Sequence, residues 1–117
     1  MQTIKIKPLS LNSAYRGRRF STPALDVYKQ LVIYKAQPIK DVDFTKKMQV
    51  SYDFGVSTTN SDGDNLVKCF QDALATKYGF NDNLIYKWEI TKTVVKKGEE
   101  YVSFSLSNIN LPLDKQK

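Results

Sequence analysis

Residues 62–78, DGDNLVKCFQDALATKY, carry the clearest helical pattern in this chain of 117 residues. At about 100° per residue, the apolar side chains of this stretch fall within an arc of about 120°; they are Leu66, Val67, Phe70, Ala73 and Leu74. Gly79 follows and is typical of the residue at which a helix stops. The stretch therefore predicts an amphipathic helix from about residue 64 to 78, with its apolar face on a core.

The flanking sequence predicts one further helix and four strands. Thr22-Pro23 favours a helix start, and the helical spacing that follows runs up to Pro38. Alternating or continuous apolar runs predict strands at residues 3–7, 48–57, 84–95 and 101–109, with a hairpin turn at 97–99 and a loop at 10–22. We therefore expect one compact α/β (α+β) domain over residues 1–117, in the order β-α-β-α-β-β, with a small mixed sheet and a frayed tail from residue 114.

Composition limits the chemistry that this chain can perform. It contains no His and one cysteine, Cys69, which borders the apolar face of the second helix and is expected to be a small buried residue. Zinc sites, His-based nucleophile relays and internal disulfides are thereby disfavoured, and any metal must bind to oxygen ligands. No apolar run is long enough to span a membrane, and the N-terminus alternates like a strand, so we expect a cytoplasmic protein.

The charge of the chain is unevenly distributed. Residues 1–61 carry a net charge of +6, residues 62–83 carry −2, and residues 84–117 carry +2. Basic flanks around an acidic centre are typical of a surface that holds a polyanion while carboxylates bind cations. A basic domain whose charges simply face water is the alternative.

The acidic centre has the residue types of a magnesium site. Mg²⁺ takes a few carboxylates and leaves its other positions to water and phosphate, and Asp62, Asp64 and Asp82 can supply such ligands. Asp64, Lys68 and Asp72 are spaced four apart and project from one side of the helix. Two structural alternatives stay open, because an aspartate can cap the helix and four-residue spacing also suits a surface ion-pair ladder.

A calcium loop is a weaker reading of the same segment. Residues 60, 62 and 64 imitate the start of an EF-hand, but Asn65 stands where glycine is needed. Gln71 stands where a bidentate glutamate is needed, so we reject this interpretation.

The motif Asp62-Gly63-Asp64-Asn65-Leu66-x-Lys68, followed by Asp72-Ala73-Leu74 and Gly79-Phe80-Asn81-Asp82, resembles the core of the RusA-type Holliday junction resolvases. The resemblance extends to Asn12, Tyr15-Arg16 and the turn at 97–99. It implies a RusA-like fold, a homodimer and magnesium-dependent cleavage, with manganese as a substitute ion. It also implies metal ligands at Asp62, Asp64 and Asp82, a catalytic role for Lys68 and a supporting acid at Asp72. Asn81 departs from the family pattern, which has an acid there.

The first loop carries the candidate DNA-binding residues. Residues 15–20, YRGRRF, combine three guanidinium groups with two rings, which suits phosphate contacts and stacking on unpaired bases. We assign DNA binding to Asn12, Tyr15, Arg16, Arg18, Arg19 and Lys68. A solvated loop that only adds charge is the alternative. Trp88 and Tyr86 lie within a strand pattern and are expected in a core or an interface.

The functional expectation is an endodeoxyribonuclease that resolves four-way DNA junctions by paired hydrolysis in recombination and repair. Such a junction must be cut on two strands, and this chain has room for one site, so a symmetric homodimer is expected. A bacterial, phage or prophage source follows from the resemblance. The alternatives are a non-catalytic recombination accessory that binds branched DNA, and a nuclease specific for flaps or forks.

Overall fold

The computed structural model describes residues 1–10, 15–16, 20–58 and 63–109, with the backbone alone at 15, 16, 20, 21 and 63–65. Its elements, in chain order, are β1 (Gln2–Ile4), β2 (Tyr15–Arg16), β3 (Phe20–Ser21), α1 (Pro23–Lys35), β4 (Met48–Val56), α2 (Gly63–Tyr78), a short 3₁₀ helix (Asp82–Leu84), β5 (Ile85–Val94) and β6 (Tyr101–Asn108). The predicted α+β class and the order of the main elements are confirmed. None of the described helices is long and apolar enough to cross a membrane.

Four strands form one mixed sheet in the order β1-β6-β4-β5. Strand β4 lies in the middle, parallel to β5 and antiparallel to β6. Its alternating pattern leaves one row of side chains fully inside: Met48, Val50, Tyr52, Phe54 and Val56. Helices α1 and α2 pack against each other and cover this face of the sheet, which confirms the predicted apolar rows of β4 and β6.

The predicted hairpin between the last two strands is wrong. A turn does form there, with the Glu99 N–H donating to the Lys96 carbonyl at 2.9 Å and Gly98 at a φ of 94°. However, β5 and β6 do not pair, because β4 lies between them and residues 95–100 cross over its end. Strand β4 takes the centre of the sheet because it is the strand with the most buried residues. The sequence does not show this, since strand order depends on how the strands pack in the core.

The segment predicted to be a loop contains a small second sheet. Strands β2 and β3 pair antiparallel, with Tyr15 opposite Ser21 and Arg16 opposite Phe20. Two residues per strand give too short a period-two pattern to be recognised in the sequence. The backbone of the predicted DNA-binding segment is therefore tied, at both ends, to a two-stranded ladder.

An aromatic cluster lies at the centre of the core. The Phe70 ring of α2 makes edge contacts with three rings of the sheet at centroid distances of 5.3–5.9 Å; they belong to Tyr52, Phe54 and Phe104. Leu66, Ala73 and Leu74 are also buried, as the helical pattern predicts, and so is Cys69. This packing fixes α2 against the sheet and thereby sets which of its polar residues face outward.

Candidate active site

Helix α2 presents a short charged row on its partly exposed side. The Lys68 Nζ donates to the Asp72 Oδ1 at 3.2 Å, one turn apart, as the sequence spacing predicts. The side chain of Asp72 is about one quarter exposed and that of Lys68 about half exposed. At such exposure the ion pair contributes only a few tenths of a kcal/mol to the free energy of unfolding. Its main effect is therefore on the local electrostatic field and not on stability.

A glycine stop turns the chain back beside this row. Gly79 adopts a φ of 70°, which favours glycine, and both its N–H and that of Phe80 donate to the Ala75 carbonyl. The Asn81 side chain then accepts a bond from the Asn83 N–H at 3.1 Å and begins the 3₁₀ helix. The chain therefore returns along the last turns of α2 with Asp82 at the start of the 3₁₀ helix.

Asp72 and Asp82 consequently line one open pocket of about 610 Å³. Its wall also includes Thr76, Asn81 and Lys29. Asn81, at the position where the resemblance leads us to expect an acid, caps the 3₁₀ helix, a role that an aspartate would fill equally well. The structure thus brings together two of the five predicted catalytic residues directly, and a third, Lys68, through its bond to Asp72.

Lys29 is a site residue that sequence reasoning missed. It lies on α1, is half-buried, and faces the same pocket as the two carboxylates. Burial raises the pKa of the Cys69 thiol, the Asp72 carboxylate raises it further, and Lys29 and Lys68 lower it. All three charges therefore act on one buried atom. The sequence places Lys29 on a helix, but only the packing of α1 on α2 reveals its neighbours.

A hydrogen-bonded network lies beneath α2 on its β5 side. The buried Gln71 Oε1 accepts from the Tyr52 hydroxyl and from the Trp88 Nε1, each at 2.9 Å. Burial raises the pKa of Tyr52, and the Asp82 carboxylate raises it further. The network ties α2 to β4 and β5 and stays neutral. The sequence offered one signal of this network, a glutamine between apolar helix positions. We considered Gln71 only as a residue that does not fit the calcium-binding loop.

The remaining predicted residues are described in part or not at all. Asp62, Asn12, Arg18 and Arg19 lie outside the described residues. The backbone of Asp64 belongs to the first turn of α2, about 12 Å of helix rise before Asp72. Tyr15 and Arg16 are described only as the backbone of β2.

The chemistry of the pocket suits a hard cation. Within the described ranges no group of three or more His, Cys, Asp or Glu side chains forms a ready metal cage. Mg²⁺ does not require one, because it commonly binds one or two carboxylates and completes its shell with water and substrate phosphate. Asp72 and Asp82 offer oxygen donors, while Lys29 and Lys68 offer charge for a phosphate. The donor set therefore fits magnesium.

Comparison with known proteins identifies the family of this chain. A search of curated proteins found no match to the chain. A family model described as Endodeoxyribonuclease RusA matches residues 10–103, a range that spans the first loop, both helices and all of β4 and β5. Since that match covers most of the sequence and includes the acidic motif and its pocket, the chain belongs to the RusA endodeoxyribonuclease family.

Proposed function

We propose that this protein is a magnesium-dependent Holliday junction resolvase that acts as a homodimer in DNA recombination and repair. Its family makes it a DNA endonuclease that acts on branched junctions. The observation that carries the proposal is the pocket that Asp72, Asp82 and Lys29 line together. Manganese is the expected substitute ion, and the bacterial cytoplasm, including that of a phage-infected cell, is the proposed place of action.

The proposed metal ligands are Asp62, Asp64 and Asp82. Asp82 lines the pocket, whereas Asp64 begins α2 about 12 Å of helix rise before Asp72, so these two carboxylates can share an ion if two subunits contribute to one site. Mg²⁺ bound by these carboxylates would act as a Lewis acid on the scissile phosphate and lower the pKa of an attacking water. Asp72 holds the Lys68 ammonium in position at 3.2 Å. This arrangement directs positive charge to the place where the phosphate oxygens gain charge during attack.

Lys29 has a separate place in this mechanism. Its half-buried side chain lines the pocket from α1, together with the two carboxylates. A phosphate bound at the pocket would therefore meet this cation, which would help to position the scissile bond for in-line attack. The expected products are nicks with 5′-phosphate and 3′-hydroxyl ends.

The basic first loop supplies the proposed DNA contacts. We assign them to Asn12, Tyr15, Arg16, Arg18 and Arg19. The ladder of β2 and β3 supports this assignment because it anchors the backbone at both ends of this segment. Arginine binds phosphate in a bidentate manner and stacks on bases, as recognition of a branch point requires.

One observation favours a second function, that of a non-catalytic protein that binds branched DNA. Lys68 and Asp72 form an ordinary surface ion pair, which a purely structural role would also produce. Such a protein would bind junctions with steep salt dependence but make no nicks with any divalent ion. A flap- or fork-specific nuclease differs from the proposed resolvase only in its preferred substrate.

The deciding experiment compares synthetic four-way, three-way, flap and linear DNA with Mg²⁺, Mn²⁺ or EDTA. We expect paired nicks on the four-way substrate with either metal and none with EDTA. Asp82→Asn should lose at least about 100-fold in cleavage rate while still binding the junction, because a ligand is lost but the basic surface remains. Asp41→Asn, which alters an exposed carboxylate outside the pocket, is the matched control and should cleave normally. Unimpaired cleavage by Asp82→Asn would refute the assignment of this ligand.

A further inference from the structure

The single tryptophan of the chain, Trp88, lies partly open to solvent on the helix side of the sheet. It stands beside Val50 of the parallel strand β4, whose side chain is buried under the helices, so the indole is on the same side of the sheet as α2. Yet 46% of Trp88 is exposed, so it is not a core residue. The strand pattern explains which way the ring points but not why it is left open.

A pocket of about 350 Å³ adjoins the exposed indole. Val67, Lys68 and Gln71 line it from α2, and Trp88 and Ile90 line it from β5. Three of these five side chains are hydrophobic, and Ile90 is itself 37% exposed. Exposed apolar side chains that form one patch, unlike scattered single ones, mark a binding site.

The orientation of the indole is fixed from the inside of the protein. Its Nε1 donates to the Oε1 of Gln71 at 2.9 Å, and the buried Gln71 also accepts a bond from the Tyr52 hydroxyl. Because the one polar atom of the ring is bound there, the exposed part of the ring consists of apolar carbons. A ring that is already oriented binds a flat ligand with a smaller loss of conformational entropy.

Two contacts connect this pocket to the candidate active site. Lys68 lines it and also donates to Asp72, which lines the acidic pocket, at 3.2 Å. Tyr52, which shares its hydrogen-bonded network with the indole, lies close enough to Asp82 for that carboxylate to raise the pKa of the phenol. A DNA strand with a phosphate at the acidic pocket would therefore bring a neighbouring nucleotide to Trp88.

A nucleobase matches the chemistry of this pocket. Its flat aromatic face can stack on an indole, and the remaining apolar wall excludes water from the stack. The phosphate attached to it is attracted to the Lys68 ammonium, which lines the same pocket. A second copy of this chain would instead bring further positive charge, because each chain has a net charge of +6. Charge therefore favours nucleic acid as the occupant.

We propose that this pocket binds an unstacked nucleobase of the DNA branch point, with the base stacked on Trp88 and its phosphate beside Lys68. Bases of a linear duplex are paired and stacked, and extruding one costs free energy, whereas bases at a branch point are more easily unstacked. Trp88 is then a specificity-determining residue that favours branched over linear DNA. This inference deepens the proposed function and rests on it for the identity of the ligand.

The first test uses the fluorescence of Trp88, which no other tryptophan obscures. The wild-type chain is titrated in EDTA with a synthetic four-way junction or with a linear duplex of equal length, and the anisotropy of a dye on the DNA reports binding separately. At saturation the junction should quench most of the tryptophan emission and the duplex little of it. A junction that saturates the protein without quenching, or a duplex that quenches equally, would overturn the proposal.

The second test separates stacking from a structural role of the indole. Trp88→Leu removes the ring, whereas Trp88→Phe keeps a ring and loses only the bond to Gln71. Loss of one stacked base should weaken junction binding by Trp88→Leu about tenfold and leave duplex binding unchanged, while Trp88→Phe should stay within about threefold of wild type. Tyr34→Leu, which removes an exposed ring of α1 outside the pocket, is the control and should bind normally. Normal binding by Trp88→Leu, or equal losses in both Trp88 variants, contradicts stacking.

Neither test depends on cleavage. Quenching of Trp88 by junctions in a protein that makes no nicks with any divalent ion would refute the proposed nuclease and leave the base-binding pocket intact. Junction cleavage together with normal binding by Trp88→Leu would refute the pocket alone. If the emission shifts to the blue as the protein concentration rises without DNA, a second copy of the chain covers the ring and the proposal is wrong.

Discussion

Replacing Gln71 by leucine should destabilise the protein by breaking the network that joins α2 to the sheet. The change removes the oxygen that accepts bonds from Tyr52 and Trp88 at 2.9 Å. Tyr52 is fully buried, so its hydroxyl would lose its partner without gaining water. An unsatisfied buried hydroxyl costs about 1–3 kcal/mol, whereas the half-exposed indole of Trp88 can find water at little cost. We expect a loss of about 2 kcal/mol in the free energy of unfolding.

Urea unfolding at a fixed protein concentration measures this loss. A change of about 2 kcal/mol corresponds to a fall in Tm of roughly 8 °C for a domain of this size. The second variant, Tyr52→Phe combined with Gln71→Leu, should recover most of the loss because no hydroxyl is then left unsatisfied. Gln49→Leu is the control, since this amide bonds to Ser107 on the exposed face of the sheet. A Gln71→Leu variant within about 0.3 kcal/mol of wild type, or strictly additive effects in the double variant, would refute the reasoning.

Three further predictions follow from the same geometry. Lys29→Met should slow junction cleavage at least about tenfold because the pocket loses a cation, and should change Tm little because no core contact requires this lysine. Gel-based nicking assays with Lys40→Met as the control measure the rate. An unchanged rate contradicts the role of Lys29. Gly55→Ala should destabilise the protein by about 1–3 kcal/mol, since an added methyl group would overlap the ring of Tyr101. That ring is held in place by a hydrogen bond of 2.9 Å from its hydroxyl to Asp53. Urea unfolding checks this prediction, and an unchanged midpoint refutes it. Mixing inactive Asp64→Asn and Asp82→Asn chains should restore nicking if each site draws on both subunits, because one site of the mixed dimer is then intact. A mixture as inactive as its components would show that each site lies within one chain.

Most of the local structure of this protein could be read from periodicity. The helix that begins at Gly63 and the buried row from Met48 to Val56 were both predicted, because each buries one continuous face whose period the sequence repeats. The ion pair between Lys68 and Asp72 fits their four-residue spacing, which the sequence left open between a catalytic group and a surface ion-pair ladder. Cys69 was correctly expected to be buried.

The sequence also indicated the family, because the acidic motif preserves chemistry and order along the chain. It did not indicate that β4 separates β5 from β6, since strand order depends on which face of which strand the core needs most. Nor did it indicate the position of Lys29, which depends on how two helices pack. Periodicity and motif are properties of neighbouring residues, and so the sequence by itself determined the two helices, the four strands of the main sheet and the candidate acids. Contacts between residues distant in the chain form only on folding, and so tertiary structure alone decided which charges share the pocket and which strand takes the centre of the sheet.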